Sequence, residues 1–291
     1  MKDVGNLNAE RLENVIQPPT YIEATVIILT KNEERHIARA VTSALTFREV
    51  LVVDSNSDDR TAEIALACGA RVVNYDWNGA YPKKKEWALD HVGTDWVFYL
   101  DADEYFDPEL LAEIRDITSN AAASALEVPI RYFWEGRELQ HGHRVTKRIG
   151  MRRSKAYWPR PNDLDVKNMW EVEGHYQPQV RAGQCVRTVR PLGHQDEDGL
   201  FDYFARHNRY SDWEAHMLYT GDTVSAKSRS RLGRLAVRIP AKPFIFFAYS
   251  YLFRLGLLDG RAGFNYALAL SYYYWQIGLK VRELKTKASR K

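Results

Sequence analysis

The stretch WVFYLDADE, residues 96–104, decides how this chain is read. Five apolar residues, Trp96 to Leu100, run without a break and end at Asp101, Ala102, Asp103 and Glu104. A short continuous apolar run closed by polar turn residues is the pattern of a strand covered on both faces, as in a parallel sheet. Asp101 and Asp103 follow at a spacing that lets a sharply turning loop aim both carboxylates at one point. Like charges held that close are unfavourable unless a cation or proton intervenes, and a hard divalent ion with oxygen ligands would satisfy them. The plainer alternative is a loop whose aspartates cap the next helix.

The same character recurs upstream. Residues 24–29 (ATVIIL) and 50–53 (VLVV) are apolar runs, and residues 71–74 (RVVN) read as a third strand. Between the first two, Ile37, Ala40, Val41, Ala44 and Leu45 keep the spacing of one apolar helix face, with Asn32 as the expected cap. A second helix, from about Asp58, stops at Gly69. A third is expected over residues 84–92, and a fourth starts at Asp107-Pro108 with proline in its first position. Strands alternating with helices in this way predict an α/β fold with an open, mostly parallel sheet flanked by helices.

In such sheets ligands gather at the carboxyl ends of the strands. That rule selects residues 30–34, 54–59 and 101–104, all polar or acidic. Asp54 has the chemistry to accept hydrogen bonds from a base imide or a ribose hydroxyl, while Ser57 or Asp58 would cap the helix that follows. Lys83, Lys84 and Lys85 stand at a helix start, where cations oppose the macrodipole; an anionic partner such as a nucleotide would relieve that. Beyond residue 125 the rhythm fades. Strands are expected over 126–134 and 180–189, an amphipathic helix over 200–219, and two aromatic-aliphatic stretches over 244–258 and 262–279.

Charge divides the chain. Its 41 Lys and Arg against 38 Asp and Glu give +3, yet residues 227–291 hold 14 basic and two acidic residues, a net +12. The other 27 basic and 36 acidic residues carry −9, and such asymmetry points to an anionic surface or polymer. With 45% hydrophobic and 27% charged residues the composition excludes a disordered or collagen-like chain. Two cysteines, Cys68 and Cys185, exclude a disulfide framework. The polar segment 1–17 has no apolar signal run. Residues 262–279 are uncharged, but Asn265, Ser271 and Gln276 interrupt them and their Tyr and Trp residues prefer an interface. Arg254 interrupts the other stretch. Helices lying in a headgroup plane are therefore expected, with helices packed onto the body as the alternative. Nucleic acid is not expected, because long apolar stretches suit lipid better than a phosphate backbone. The expected organisation is a polar leader (1–21), a catalytic domain (22–226) and a basic, aromatic helical extension (227–291).

Taken together, residues 26–34 (VIILTKNEE), 50–61 (VLVVDSNSDDRT) and 96–104, in this order and spacing, resemble the family 2 glycosyltransferases of the Rossmann-like GT-A fold. Residues 170–175 (WEVEGH), Gly193-His194, 206–215 (RHNRYSDWEA) and 251–264 (YLFRLGLLDGRAGF) are similar to its membrane-associated branch, which extends lipopolysaccharide cores and other lipid-linked glycans. The resemblance covers residues 22–285. It implies an inverting, metal-dependent transfer of a hexose from a UDP-sugar to a lipid-linked or glycolipid acceptor. It further implies peripheral attachment to the inner face of the cytoplasmic membrane. Thr30, Asn32, Glu33 and Asp54 would contact the nucleoside, and Lys84-Lys85 occupy the family's basic-or-amide position. Asp101 would meet the ribose or a metal-bound water, and Asp103 would bind Mn2+ or Mg2+ directly. Glu173 matches the general base, with Glu171 as the alternative. His194, with Asp196 beyond it, would be a further metal or diphosphate contact; His175 is a core histidine or a partner of such groups.

Other enzyme classes match less well. A nucleotidyltransferase making activated sugars would want a glycine-rich phosphate loop after the first strand, where this chain has TKNEE. A phosphohydrolase with an aspartate nucleophile would carry its D-x-D at the first strand. A non-catalytic, membrane-bound glycan-binding scaffold would not need Asp101, Asp103 and Glu173 intact.

Overall fold

The computed structural model describes residues 21–166, 170–172, 176–194, 199–222 and 241–290. Four βα steps, the last with a short extra strand, open the chain: β1 (Ile22–Thr30), α1 (Ile37–Ser43), β2 (Phe47–Asp54), α2 (Thr61–Ala67), β3 (Arg71–Asn74), α3 (Lys84–Ala88), β4 (Trp96–Asp101), β5 (Glu104–Tyr105) and α4 (Pro108–Ser119). Strands dominate the middle: β6 (Ala123–Pro129), β7 (Tyr132–Trp134), β8 (Arg137–Leu139), β9 (Thr146–Arg152), β10 (Ala156–Tyr157), β11 (Gln179–Val180), β12 (Gln184–Arg187) and β13 (Gly193–His194). Helices α5 (Leu200–Thr220), α6 (Lys242–Ala248) and α7 (Gly260–Ala288) close it.

Seven strands form the main sheet in the order β12-β6-β9-β4-β1-β2-β3. The pairs β1–β2, β1–β4, β2–β3 and β12–β6 are parallel, and β9 runs antiparallel to β4 and β6. Strand β1 is central, so its side chains are buried on both faces, which is what the unbroken run VII demanded. Val26 and Ile28 face a core closed by Ile37 and Val41 of α1, Ala65 of α2 and Leu110 and Ile114 of α4. Ile27 faces the other core, with Ala88 of α3 and Trp213 and Met217 of α5. The result is three layers, helix on sheet on helix.

Several elements differ from their sequence reading. Helix α1 starts at Ile37 rather than after Asn32. Asn32 has φ +58°, in the left-handed region, and its side-chain oxygen accepts from the Asp58 N–H (2.9 Å), so it ties two loops together instead of capping. The strand expected over 126–134 is two, β6 and β7, broken at Ile130-Arg131. The one expected over 180–189 is also two, β11 and β12, with Gly183 between them at φ +88°. There a Cβ would lie 1.9 Å from Ser124 Oγ, so the close approach of β12 to β6 requires glycine. Residues 244–258 are α6, a π-helical turn (Tyr249–Phe253) and the start of a 3-10 turn (Gly256–Asp259). The stretch 262–279 lies inside α7.

Helix α7 packs on α5 and on the β7–β8 hairpin, where Ala262, Tyr266 and Ala269 meet Trp134 and Leu139 in a third apolar cluster. Lys280 of α7 reaches Asp212 Oδ1 (2.7 Å) and the Asn208 carbonyl (2.7 Å) of α5. The packed alternative for the last helix is thus realised on one side of α7. No helix among the described residues is long and apolar enough to cross a membrane. The expected boundary at residue 226 lies outside the described residues.

Gly150 on β9 carries a test of this core. A Cβ there would sit 2.5 Å from Cε1 of Phe98, which is fully buried and cannot swing away. Gly150→Ala is expected to destabilise the chain by about 1–3 kcal/mol, the usual cost of over-packing. The readout is a lowered melting temperature, and an unchanged one would show that the ring is not fixed.

Candidate active site

Parallel register assembles the site. Leu29 pairs with Asp101 and Thr30 with Asp54, so the three strand ends singled out in the sequence share one edge of the sheet. Asp54 is buried, and its Oδ1 accepts from the hydroxyls of Thr30 (2.7 Å) and Ser57 (2.6 Å). Its Oδ2 accepts from the Ser57 N–H (2.7 Å). The first two loops are cross-bonded throughout. Asn32 N–H donates to Ser57 Oγ (2.8 Å), Glu33 N–H to Thr61 Oγ1 (2.7 Å) and Lys31 Nζ to the Asn56 carbonyl (2.6 Å). The Glu33 carboxylate meets His36 Nδ1 at 3.1 Å. Thr30, Asn32, Glu33 and Asp54 do converge, then, and their bonds make a rigid two-loop platform in which few backbone donors remain to be satisfied.

The lysine run divides three ways. Lys84, at the start of α3, is buried; its Nζ donates to the Thr30 carbonyl (2.8 Å) and to Ser55 Oγ, and pairs with Glu171 Oε1 (3.3 Å). Burial pushes its ammonium below the usual lysine value, and the Glu171 carboxylate opposes that shift. The backbone repeats the link, since Lys84 N–H donates to the Glu171 carbonyl (2.7 Å). Glu171, the alternative base, is therefore engaged as the counter-ion of Lys84. Glu173 and His175 lie outside the described residues, as does Asp196. Lys85 stands 5.2 Å over the Trp158 ring and acts on Asp101 through its charge.

Lys83 turns inward instead. Its Nζ pairs with Asp163 Oδ2 at 2.9 Å, both side chains fully buried, and Asp163 also accepts from Tyr81 Oη (2.8 Å) and Trp213 Nε1 (2.8 Å). Asp163 thus bolts the segment before α3 to helix α5.

The turn after β4 is shaped by Glu104. Its buried carboxylate accepts from the Asp101 N–H (2.8 Å) and from Lys147 Nζ (2.6 Å), and Lys147 also pairs with Asp101. Desolvation works against the charged form of Asp101, but the ammonium groups of Lys147 and Lys85 outweigh it and hold its carboxyl at about 2. Burial pushes the Glu104 carboxyl up, to about 7, and the lysine only partly offsets this. Strand β13 pairs with β5 at Glu104↔His194, which sets His194 Nε2 3.1 Å from Asp103 Oδ2.

These donors bear on a metal. Two ligands at right angles on a divalent ion at about 2.1 Å stand about 3 Å apart, so Asp103 and His194 fit neighbouring positions. Asp101 is turned to Lys147, and among the described residues no group of three or more His, Cys, Asp or Glu converges. An ion held there by these two ligands would need the rest of its shell from water or phosphate oxygens. Lys147, Glu104, Ser55 and Asp163 are the residues that sequence reasoning missed in this assembly. Of these Glu104 and Ser55 gave a signal, by lying within the strand-end segments 101–104 and 54–59.

The Asp163 bolt is testable without substrate. Asp163→Asn leaves the Lys83 ammonium buried against a neutral amide and is expected to destabilise by about 3–5 kcal/mol. The double variant Lys83→Met/Asp163→Asn, which removes the buried charge and keeps an amide oxygen for Trp213 Nε1, should recover part of that in thermal unfolding. If the single and double variants unfold alike, the charge pair is not what holds α5 to the segment before α3.

Comparisons with known proteins identify the family of the chain. The family model for glycosyl transferase family 2 matches residues 25–184, from β1 through the first residue of β12. An uncharacterized glycosyltransferase of Rickettsia typhi is 44% identical over 94 residues, 32% of each chain. A lipopolysaccharide core biosynthesis glycosyltransferase, LpsC, of Rhizobium meliloti is 32% identical over 105 residues, covering 32% of this chain and 38% of that protein. Glucosyl-3-phosphoglycerate synthase of Mycobacterium tuberculosis, solved with Mn2+ and UDP, is 23% identical with a TM-score of 0.30, over 35% of this chain and 42% of that one. The chain thus matches about a third of the length of its curated relatives. The family model, by contrast, spans more than half of the chain and includes all three strand ends: this protein belongs to glycosyl transferase family 2.

Proposed function

We propose that the chain is an inverting, metal-dependent glycosyltransferase that moves a hexose from a UDP-sugar to a lipid-linked or glycolipid acceptor. The observation that carries this reading is the meeting of the Thr30–Asp54 platform, Lys84 and the Asp103–His194 pair on one sheet edge. The platform would seat the nucleoside, with Thr30, Asn32, Glu33 and Asp54 as its rim. Lys84 and Lys85 would lie towards the diphosphate, where their charge offsets the one that grows as the sugar departs. Asp103 and His194 would hold Mn2+ or Mg2+ from the protein side, with Asp101 beside them towards the ribose or a metal-bound water. Bound there, the ion supplies charge neutralisation for the leaving diphosphate.

The acceptor hydroxyl must lose a proton as it attacks the anomeric carbon. We assign that step to Glu173, because the neighbouring candidate Glu171 is held by Lys84 and Ser55 and so has little freedom to turn to an acceptor. Lys147 keeps Asp101 ionised and shaped for the nucleotide side of the site.

The acceptor class is supported by the last third of the chain. Phe244 and Phe253 are each 80% exposed, and Leu252 and Leu258 also stand in solvent. With the net +12 of residues 227–291, this favours a basic, aromatic extension resting on the inner face of the cytoplasmic membrane, beside a catalytic unit over 22–226. The relative named for lipopolysaccharide core biosynthesis is in keeping with a cell-envelope glycan as acceptor.

Sugar transfer by the purified full chain, with the divalent ion supplied or chelated, tests the assignment. Asp103→Ala and Glu173→Gln are each expected to lower transfer by about 100-fold or more, with donor binding retained in Glu173→Gln. Thermal stabilisation by UDP should need Mn2+ or Mg2+ and should be lost in Asp103→Ala. Full transfer by either variant would sink the role given to that residue.

A further inference from the structure

Exposed apolar side chains recur along α6 and α7, and they are densest between them. Leu252, Phe253, Leu255, Leu257 and Leu258, five residues in seven, are each 41–80% exposed. Water disfavours such a patch, and monomeric proteins keep contiguous ones small unless something covers them. Leu255 adds backbone cost, because it stands at φ +60°, in the left-handed region that a bulky residue enters only when its surroundings enforce it.

The surroundings do enforce it. Asp259, at the end of the turn, has a buried carboxylate that accepts from Gln140 N–H (3.2 Å) and His141 N–H (2.8 Å), with His141 Nδ1 at 3.3 Å. Ser250, at its start, accepts from His143 N–H (3.1 Å), and the Arg254 carbonyl accepts from Gly142 N–H (2.8 Å). Gly256 lets the turn close, since a Cβ there would lie 2.9 Å from the Ser250 carbonyl. The apolar residues are therefore held outward by a frame whose own polar groups are satisfied.

Charge identifies what covers it. Residues 241–290 contain eight Lys and Arg but only Asp259, which is buried, and Glu283 as acids. Arg254 lies inside the turn and Arg261 just beyond it, both exposed. A second copy brought face to face would set arginine against arginine, and the exposed acid beside them, Glu135, is already bonded to Asn265 of α7. A surface of anionic phosphates over an apolar interior matches both features at once.

We propose that the turn at residues 252–258 is the element that inserts into an anionic phospholipid bilayer. Its five apolar side chains enter the acyl boundary while Arg254 and Arg261 meet the lipid phosphates. The proposal rests on the reading that the chain works at a membrane, and it moves the anchor from the long helix α7 to a clamped turn. Because the clamp is the loop at 140–143, just ahead of β9 and Lys147, insertion would fix the orientation of the catalytic edge towards the bilayer.

Flotation of the full chain with vesicles of phosphatidylcholine and about one-third phosphatidylglycerol tests this. Phe253→Glu/Leu257→Glu is expected to reduce vesicle binding about tenfold or more, at unchanged melting temperature. Tyr272→Glu/Trp275→Glu on α7 is expected to change it by less than about threefold. Arg254→Gln/Arg261→Gln should weaken binding to these vesicles and not to phosphatidylcholine alone. Loss of binding in the α7 variant with none in the turn variant would overturn the inference and leave the membrane reading standing. No vesicle binding by the unaltered chain would overturn both. A dimer in solution that Phe253→Glu dissociates, with vesicle binding intact, would give the turn to a second copy.

Discussion

Everything at the candidate site hangs on the parallel register of β1 with its two neighbours. A parallel pair has no freedom to slide by one residue without turning every side chain to the other face of the sheet. Here both faces of β1 are buried, so the pairings Thr30↔Asp54 and Leu29↔Asp101 are fixed by the packing of Val26, Ile27 and Ile28 far from any chemistry. Core packing thus determines where three acidic and amide-bearing loops end. The loops then lock to one another through Asn32, Ser57 and Thr61, which turns a set of strand ends into a surface of defined shape.

Three lysines deal with the cost of gathering that much polarity at one edge. Lys84 reaches Glu171, Lys83 reaches Asp163 and Lys147 reaches both Asp101 and Glu104. Buried ion pairs give little net stability, because desolvation consumes most of the attraction, but breaking one leaves a charge with nowhere to go. Their consequence is positional. Lys83 and Lys84 are adjacent in the chain yet point to opposite sides, one to helix α5 and one to the sheet edge, so the start of α3 is pinned from two directions. Lys147 similarly ties the antiparallel β9 to the turn after β4.

What could be read from the sequence follows from the range of each signal. The apolar runs of β1, β2 and β4, the proline start of α4 and the whole length of α5 were legible because local pattern determines them. Asp54 and the Asp101–Asp103 pair were legible because their strands point them out. Lys147, Asp163 and Glu171 were not legible as partners. Their contacts are 46, 80 and 87 residues apart in the chain and depend on strand order, which no local period encodes. Asn32 was misread for the same reason, since its left-handed backbone is stabilised by a loop 26 residues away rather than by its own helix. The stretch 244–258 reads as helical because its composition is mostly apolar, although the carboxylate just beyond it is bound to residues 118 and 119 positions earlier.

The charge division of the chain has a structural counterpart. The acidic body is not simply complemented by the basic tail: among the described residues the buried carboxylates of Asp163 and Glu104 are met by Lys83 and Lys147, and the half-buried Glu171 by Lys84, all within the body itself. Helix α7 spends Lys280 on Asp212 of α5, while Arg254 and Arg261 stand exposed beside the apolar turn. A tail whose charge existed to balance the body would place its arginines against those carboxylates. This one holds them outward, next to the residues that water least tolerates, and fastens that turn to the loop at 140–143 through the buried Asp259, Ser250 and the Arg254 carbonyl. On the proposed membrane reading, the balancing charge for the tail is supplied from outside the chain.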